Sequence, residues 1–167
     1  MNIDGWFQIT QLFAYSYRIF NNPFKLSPIL ISFYKDCSNV EKNFLLSYLV
    51  YPLCLQEEGQ RILIQSKRTS RIERFSANNN ILKISLLPKI KEYQKITNLS
   101  IQYCLDNKFL ELRNMNLYPT EFTPPSIEIL ELQKPVLAAR KLAVILNKYE
   151  IVHIFRMLGC SSLWTHL

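Results

Sequence analysis

The chain has 167 residues, 49% of them apolar and 20% charged, with a formal net charge of +7 and only three glycines. That length suits one domain and the apolar share supplies a buried core, while glycines at 5, 59 and 159 alone exclude any GxxxxGK or GxGxxG phosphate loop. So little glycine also argues against a turn-rich β-sandwich or barrel, and a mainly α protein is expected.

Residues 5–20, GWFQITQLFAYSYRIF, read as a helix of mixed periodicity. Asp4 precedes them and no apolar run ends in a small-residue cleavage site, so no secretion signal is expected, which points to the cytoplasm. NNPF at 21–24 is a turn and a restart: Asn22 can cap, and Pro23 suits the first helical position. A helix to about Tyr34 follows, with Leu26, Ile29, Leu30 and Phe33 at 3–4 spacing.

FLLSYLVYPLCLQ, residues 44–56, is the most apolar stretch. A spanning helix needs about 20 apolar residues, and Glu41, Lys42, Glu57 and Glu58 bound this run of about a dozen. It reads as a core helix from Val40 to Tyr51, with Asn39 or Ser38 as N-cap and Pro52 ending it. A short helix from Leu55 to Gln65 and a polar loop over 66–80 come next. Residues 84–106 form a long helical pattern with Pro88 in its first turn. KFLEL (108–112) alternates as a strand, NMN (114–116) turns, and a second strand starts at Leu117. A helix followed by a two-stranded hairpin is the pattern of a winged helix. After the Pro-rich connector 120–126, a helix over 130–147 is interrupted at Pro135, and a last one over 151–160 stops at Gly159. The expected fold is mainly α with a small β hairpin: one compact domain over 1–167, divisible into a helical sublobe (1–66) and a winged-helix-like sublobe (67–167).

Catalytic and metal chemistry find little footing. Cys37, Cys54, Cys104 and Cys160 are 17, 50 and 56 positions apart, so no CxxC zinc site is expected, and reduced thiols fit a chain without a secretion signal. His153 lies in an apolar helix as a partly buried packing residue, and His166 is the penultimate residue of the sequence. No HExxH or GxSxG occurs. The chain is read as a non-enzyme without cofactor or metal.

The charge is concentrated. Arg61, Lys67, Arg68, Arg71, Arg74, Lys83, Lys89, Lys91 and Lys95 face only Glu73 and Glu92 within 61–95; nine minus two equals the net +7 of the whole chain. Lys67, Arg68, Arg71, Arg74, Lys89, Lys91 and Lys95 are the candidate binding residues. They suit an acidic protein surface, a nucleic-acid backbone, or solvent alone.

NNPF (21–24), LLSYLVYPLCL (45–55), the Thr-Ser step in KRTSRI (67–72), AARKLA (138–143) and FRMLGC (155–160), in this order, resemble the middle component of three-component ABC-ATPase systems, such as the Lamassu anti-plasmid and anti-phage defences. Two positions differ from that pattern: Tyr51 precedes the proline where Leu is expected, and Tyr149 stands in for a Trp near Leu146. The resemblance implies a non-catalytic adaptor between an SMC-like ABC ATPase and an effector of nuclease type, holding or releasing the effector on sensing foreign DNA. ATP chemistry then belongs to the partner. Residues 84–160 would dock on the ATPase, and Arg68, Arg71 and Arg74 would lie near DNA or an acidic partner surface. The competing reading is a stand-alone winged-helix DNA-binding regulator, with Asn98 and Gln102 beyond the lysines of helix 84–106. A peripheral membrane protein rests on basic charge alone.

Overall fold

A computed structural model describes residues 22–38, 40–73, 80–122 and 130–161. The expectations for 5–20, Asn39, Arg74 and His166 lie outside them. Among the described residues, six α-helices and one hairpin follow in order: α1 (Pro23–Asp36), α2 (Ser47–Cys54), α3 (Glu57–Gln65), α4 (Asn80–Asp106), β1 (Leu110–Arg113), β2 (Asn116–Pro119), α5 (Gln133–Leu146) and α6 (Ile151–Met157). The fold is mainly helical with a two-stranded antiparallel hairpin, as composition and periodicity indicate. α1 packs most extensively on α5 and α4; α4 also packs on α2, and α3 on α5. One contiguous core runs from Leu26 to Cys160.

α1 starts where the sequence says it should. The Asn22 side chain accepts from Phe24 N at 2.9 Å, and Pro23 occupies the first position, where no N–H is needed. The apolar face of Leu26, Ile29, Leu30 and Phe33 is buried. The far end of the helix is tied to α5: the Asn147 amide donates to Asp36 O at 2.6 Å and accepts from Ser38 N at 3.1 Å, and Arg140 pairs with Asp36 at 2.8 Å.

The core helix expected over 40–51 is replaced by something shorter. Lys42 is left-handed (φ 57°), residues Asn43–Leu46 form a 3-10 turn, and α2 starts at Ser47. The cause is Asn43, which is needed elsewhere. Its side chain accepts from Leu117 N (2.7 Å) and donates to Leu117 O (3.2 Å), like a third strand one residue long. Leu117 faces Leu112, and Phe109 O accepts from Thr120 N, so the ladder bonds fall on the alternate pairs. Leu117 therefore turns both backbone groups away from β1, and Asn43 takes them. Asn43 N also donates to Asn116 Oδ1 and Phe44 N to Met115 O. Tyr34 completes the joint beneath: its hydroxyl donates to Asn43 O at 3.0 Å, which leaves the Ser47 hydroxyl as donor across 2.6 Å to Tyr34. Pro52 does not end the helix but sits buried two residues before its end at Cys54.

α4 starts at Asn80, so Pro88 lies well inside it rather than in its first turn. It ends in a Schellman motif with Lys108 in the left-handed position (φ 57°): Lys108 N bonds Leu105 O (3.0 Å) and Phe109 N bonds Cys104 O (2.8 Å). These bonds delay β1 to Leu110, two residues later than the expected strand. Asn114 and Met115 both have positive φ (48° and 61°), which makes NMN a type I′ turn. The interruption at Pro135 is a 3-10 turn over Leu130–Leu132 before α5, with Pro135 third in the helix. α6 closes in a second Schellman motif, with Gly159 at φ 73° and Cys160 N on Phe155 O at 2.8 Å.

Gly59 is fixed by contact. A Cβ there would lie 2.1 Å from the Leu53 carbonyl oxygen, so α3 can follow α2 so closely only with glycine at this place. Tyr51, the departure from the family pattern, is fully buried between α2 and α4, and burial pushes its phenol well above the ordinary range. Ser100 lies close enough to favour the ionised form slightly. The Tyr51, Thr97 and Ser100 hydroxyls nevertheless reach no hydrogen-bonding geometry with any described residue.

Candidate functional site

The basic segment begins where α3 ends. Ser66 is buried, its hydroxyl turned back on Ile62 O at 2.7 Å, and Lys141 from α5 donates to Ser66 O at 3.2 Å. Lys67-Arg68-Thr69-Ser70 is a closed turn: Ser70 N donates to Lys67 O and Lys67 N to Ser70 Oγ, each at 2.9 Å. Lys148, just after α5, donates to Arg68 O (2.7 Å) and Ser70 O (3.0 Å). Ile72 is fully buried behind the turn, and Tyr149 accepts from Ile72 N at 3.4 Å while donating to Glu73 at 3.3 Å. The backbone is thus bolted to the end of α5, while the side chains of Lys67, Arg68 and Arg71 stand exposed. The Ser66 and Ser70 hydroxyls are both engaged inside this structure. Arg61 is paired with Glu58 at 2.6 Å.

Lys89, Lys91 and Lys95 belong to a different element, α4, on which Lys91 and Lys95 are exposed and Lys89 is half-buried. No described hydrogen bond or ion pair joins them to the turn. Lys89 is held by Glu92 at 2.6 Å, whereas Lys91 and Lys95 make no such bond to described residues. The seven candidates therefore do not form one site. Three lie on the turn, three on α4, and Arg74 lies outside the described residues.

Sequence reasoning missed two features. Lys141 and Lys148 support the turn but lie over 70 positions from it, with no local signal. Leu112 (43%), Tyr118 (45%) and Phe122 (63%), on and just after the hairpin, are also exposed beside an open cavity of about 970 Å³; Leu112 shares its face with buried Leu117 and Tyr118 lies on the opposite face, so strand alternation did not mark them as uncovered. His153 is exposed rather than packed in the core, stacked on Tyr149 at 5.3 Å, because α6 turns Ile151, Ile154 and Phe155 inward instead.

All four cysteines are buried as free thiols. Burial raises the Cys37 and Cys104 thiols to about 12 and Cys160 to about 11, and lifts Cys54 as well. None is poised as a thiolate nucleophile. Among the described residues there is no group of three or more His, Cys, Asp or Glu able to hold a metal, and no helix long and apolar enough to cross a membrane.

These features define a small, mainly helical protein with a braced basic turn and an exposed hairpin. The chain belongs to the ABC-three component (ABC-3C) system Middle Component 3 family, whose model matches residues 10–162. No curated protein and no solved structure gives a significant match.

Proposed function

We propose that this protein is a non-catalytic adaptor in a cytoplasmic anti-phage or anti-plasmid defence complex of Lamassu type. It bridges an SMC-like ABC ATPase to an effector of nuclease type, and holds or releases that effector when foreign DNA is sensed. The observation that carries the reading is the family match over 10–162, since a middle component works with the other components of its system. Two surfaces support it. The turn offers Lys67, Arg68 and Arg71 on a fixed backbone, suited to an acidic partner. The hairpin offers Leu112, Tyr118 and Phe122, apolar and aromatic side chains of the kind that anchor protein interfaces.

The test is co-purification of the tagged chain, expressed with its genomic neighbours, followed by mass spectrometry. Recovery of a large coiled-coil ATPase together with a second protein supports the adaptor. Recovery of the chain alone under those conditions sinks it, and a stand-alone regulator takes its place. Reversing charge at Arg68, Arg71 and Arg74 is expected to abolish defence while leaving the fold intact; defence that survives the reversal removes the turn from the mechanism.

A further inference from the structure

The exposed side of α4 is more ordered than its charge count suggests. Lys91, Lys95, Asn98 and Gln102 are all exposed, and at 100° per residue they fall within an arc of about 60°. The stripe is about 16 Å long at 1.5 Å per residue. No carboxylate lies in the arc between Lys91 and Gln102; the Lys89–Glu92 pair sits to one side. Ile90, Ile96, Ile101 and Cys104 are buried on the other side of the helix, so the stripe is the face α4 turns away from the core.

Asn98 is not a loose surface amide. The Tyr48 hydroxyl donates to Asn98 Oδ1 at 2.9 Å. That bond engages the oxygen and leaves the NH2 group with no hydrogen bond to a described residue. The stripe then presents donors along its length: two ammonium groups, an oriented amide, and Gln102.

We infer that this stripe binds the phosphate backbone of duplex DNA. A row of donors without acids is complementary to a row of phosphate oxygens. A helix bearing such a row also fits the major groove, about 12 Å wide. An acidic protein surface is a poorer match, because protein interfaces are depleted in Lys and centred on aromatic or apolar anchors, and this arc contains neither. The inference goes beyond the adaptor reading and does not depend on it: co-purification tests the one and DNA binding by the full chain tests the other.

The experiment is fluorescence anisotropy of a labelled 20-base-pair duplex of arbitrary sequence, titrated with the full chain over a series of salt concentrations. The wild type should bind, and bind more weakly as salt rises. K91Q/K95Q removes two phosphate contacts. At a slope of about −0.9 per contact, that lowers the salt slope by about 2 and affinity at 0.1 M salt by about 60-fold. The charge-matched K67Q/R68Q should lose markedly less. N98D keeps the Tyr48 bond but turns an anion outward, and should also weaken binding. All these side chains are exposed, and circular dichroism checks that the variants fold. Absence of salt-dependent binding by the wild type overturns the inference. So does an equal loss in K67Q/R68Q, or unchanged DNA affinity in K91Q/K95Q accompanied by lost capture of a protein component, which would assign the stripe to a protein surface.

Discussion

Replacing Asn43 with alanine tests the joint between the hairpin and the helices. The substitution removes the acceptor for Leu117 N and the donor to Leu117 O. Leu117 is fully buried, so water cannot replace either partner. The backbone bonds from Asn43 N to Asn116 and from Phe44 N to Met115 survive, so only the side-chain contribution is lost. Orphaning a buried donor or acceptor costs about 1–3 kcal/mol. Two orphans, partly relieved by relaxation, give about 3 kcal/mol, a large fraction of a typical 5–15 kcal/mol stability. For a chain of this size that is a fall in Tm of about 6–12 °C. Urea unfolding followed by circular dichroism measures the loss, and hydrogen exchange should show the Leu117 amide losing protection. Asn43→Asp sharpens the test. It keeps an acceptor for Leu117 N but sets a carboxylate oxygen against Leu117 O. The acid form can donate there, so its folded pKa should rise above the ordinary value of about 3.9. A carboxyl with a raised folded pKa stabilises most when protonated, so this variant should be most stable below pH ~4 and weaken as pH rises through the folded pKa. A loss below about 1 kcal/mol in Asn43→Ala, with unchanged protection at Leu117, would refute the reasoning.

Lys108→Gly relieves a left-handed non-glycine residue at the end of α4, and urea unfolding should show a gain of about 1 kcal/mol. Gly59→Ala drives a Cβ into the Leu53 carbonyl; the expected result is a loss of about 3 kcal/mol or failure to accumulate as soluble protein. The four thiols should resist alkylation at pH 8 until urea is added, as mass spectrometry can show. Burial holds all four above the ordinary thiol range, Cys37 and Cys104 at about 12 and Cys160 at about 11. The unfolded chain therefore releases these protons first, and stability should fall as pH rises above about 9.

What the sequence made legible was local. Asn22 with Pro23, the NMN turn and Gly159 each act through bonds to neighbours a few residues away, so residue type alone points to the geometry. Lys42 and Asn43 fall inside the helix expected from Val40 to Tyr51, and the reason the chain departs from it is Leu117, 74 positions beyond Asn43. The candidate site divides in the same way. A dense run of Lys and Arg announces itself, but Ser66 is taken up by the end of α3 and Ser70 by the turn it closes, and what fixes the turn depends on Lys141 and Lys148. The α4 stripe was present in the sequence as spacing. It becomes visible once the helix phase is known and Glu92 is seen to hold Lys89 and not its neighbours.

The pairing of α1 with α5 bears on how this chain comes to be made. The bonds from Asp36 and Ser38 to Arg140 and Asn147 join positions 104 to 111 residues apart. On a ribosome, synthesising about 5–20 residues per second, α1 emerges many seconds before its partner exists. Through that interval, among the described elements, its apolar face has α2 and, later, α4 and β2 to lie against, and the core cannot close until α5 has left the exit tunnel. A truncation before Gln133 should therefore leave a chain that collapses without folding, and the nascent protein is most vulnerable to aggregation and proteolysis until α5 has emerged.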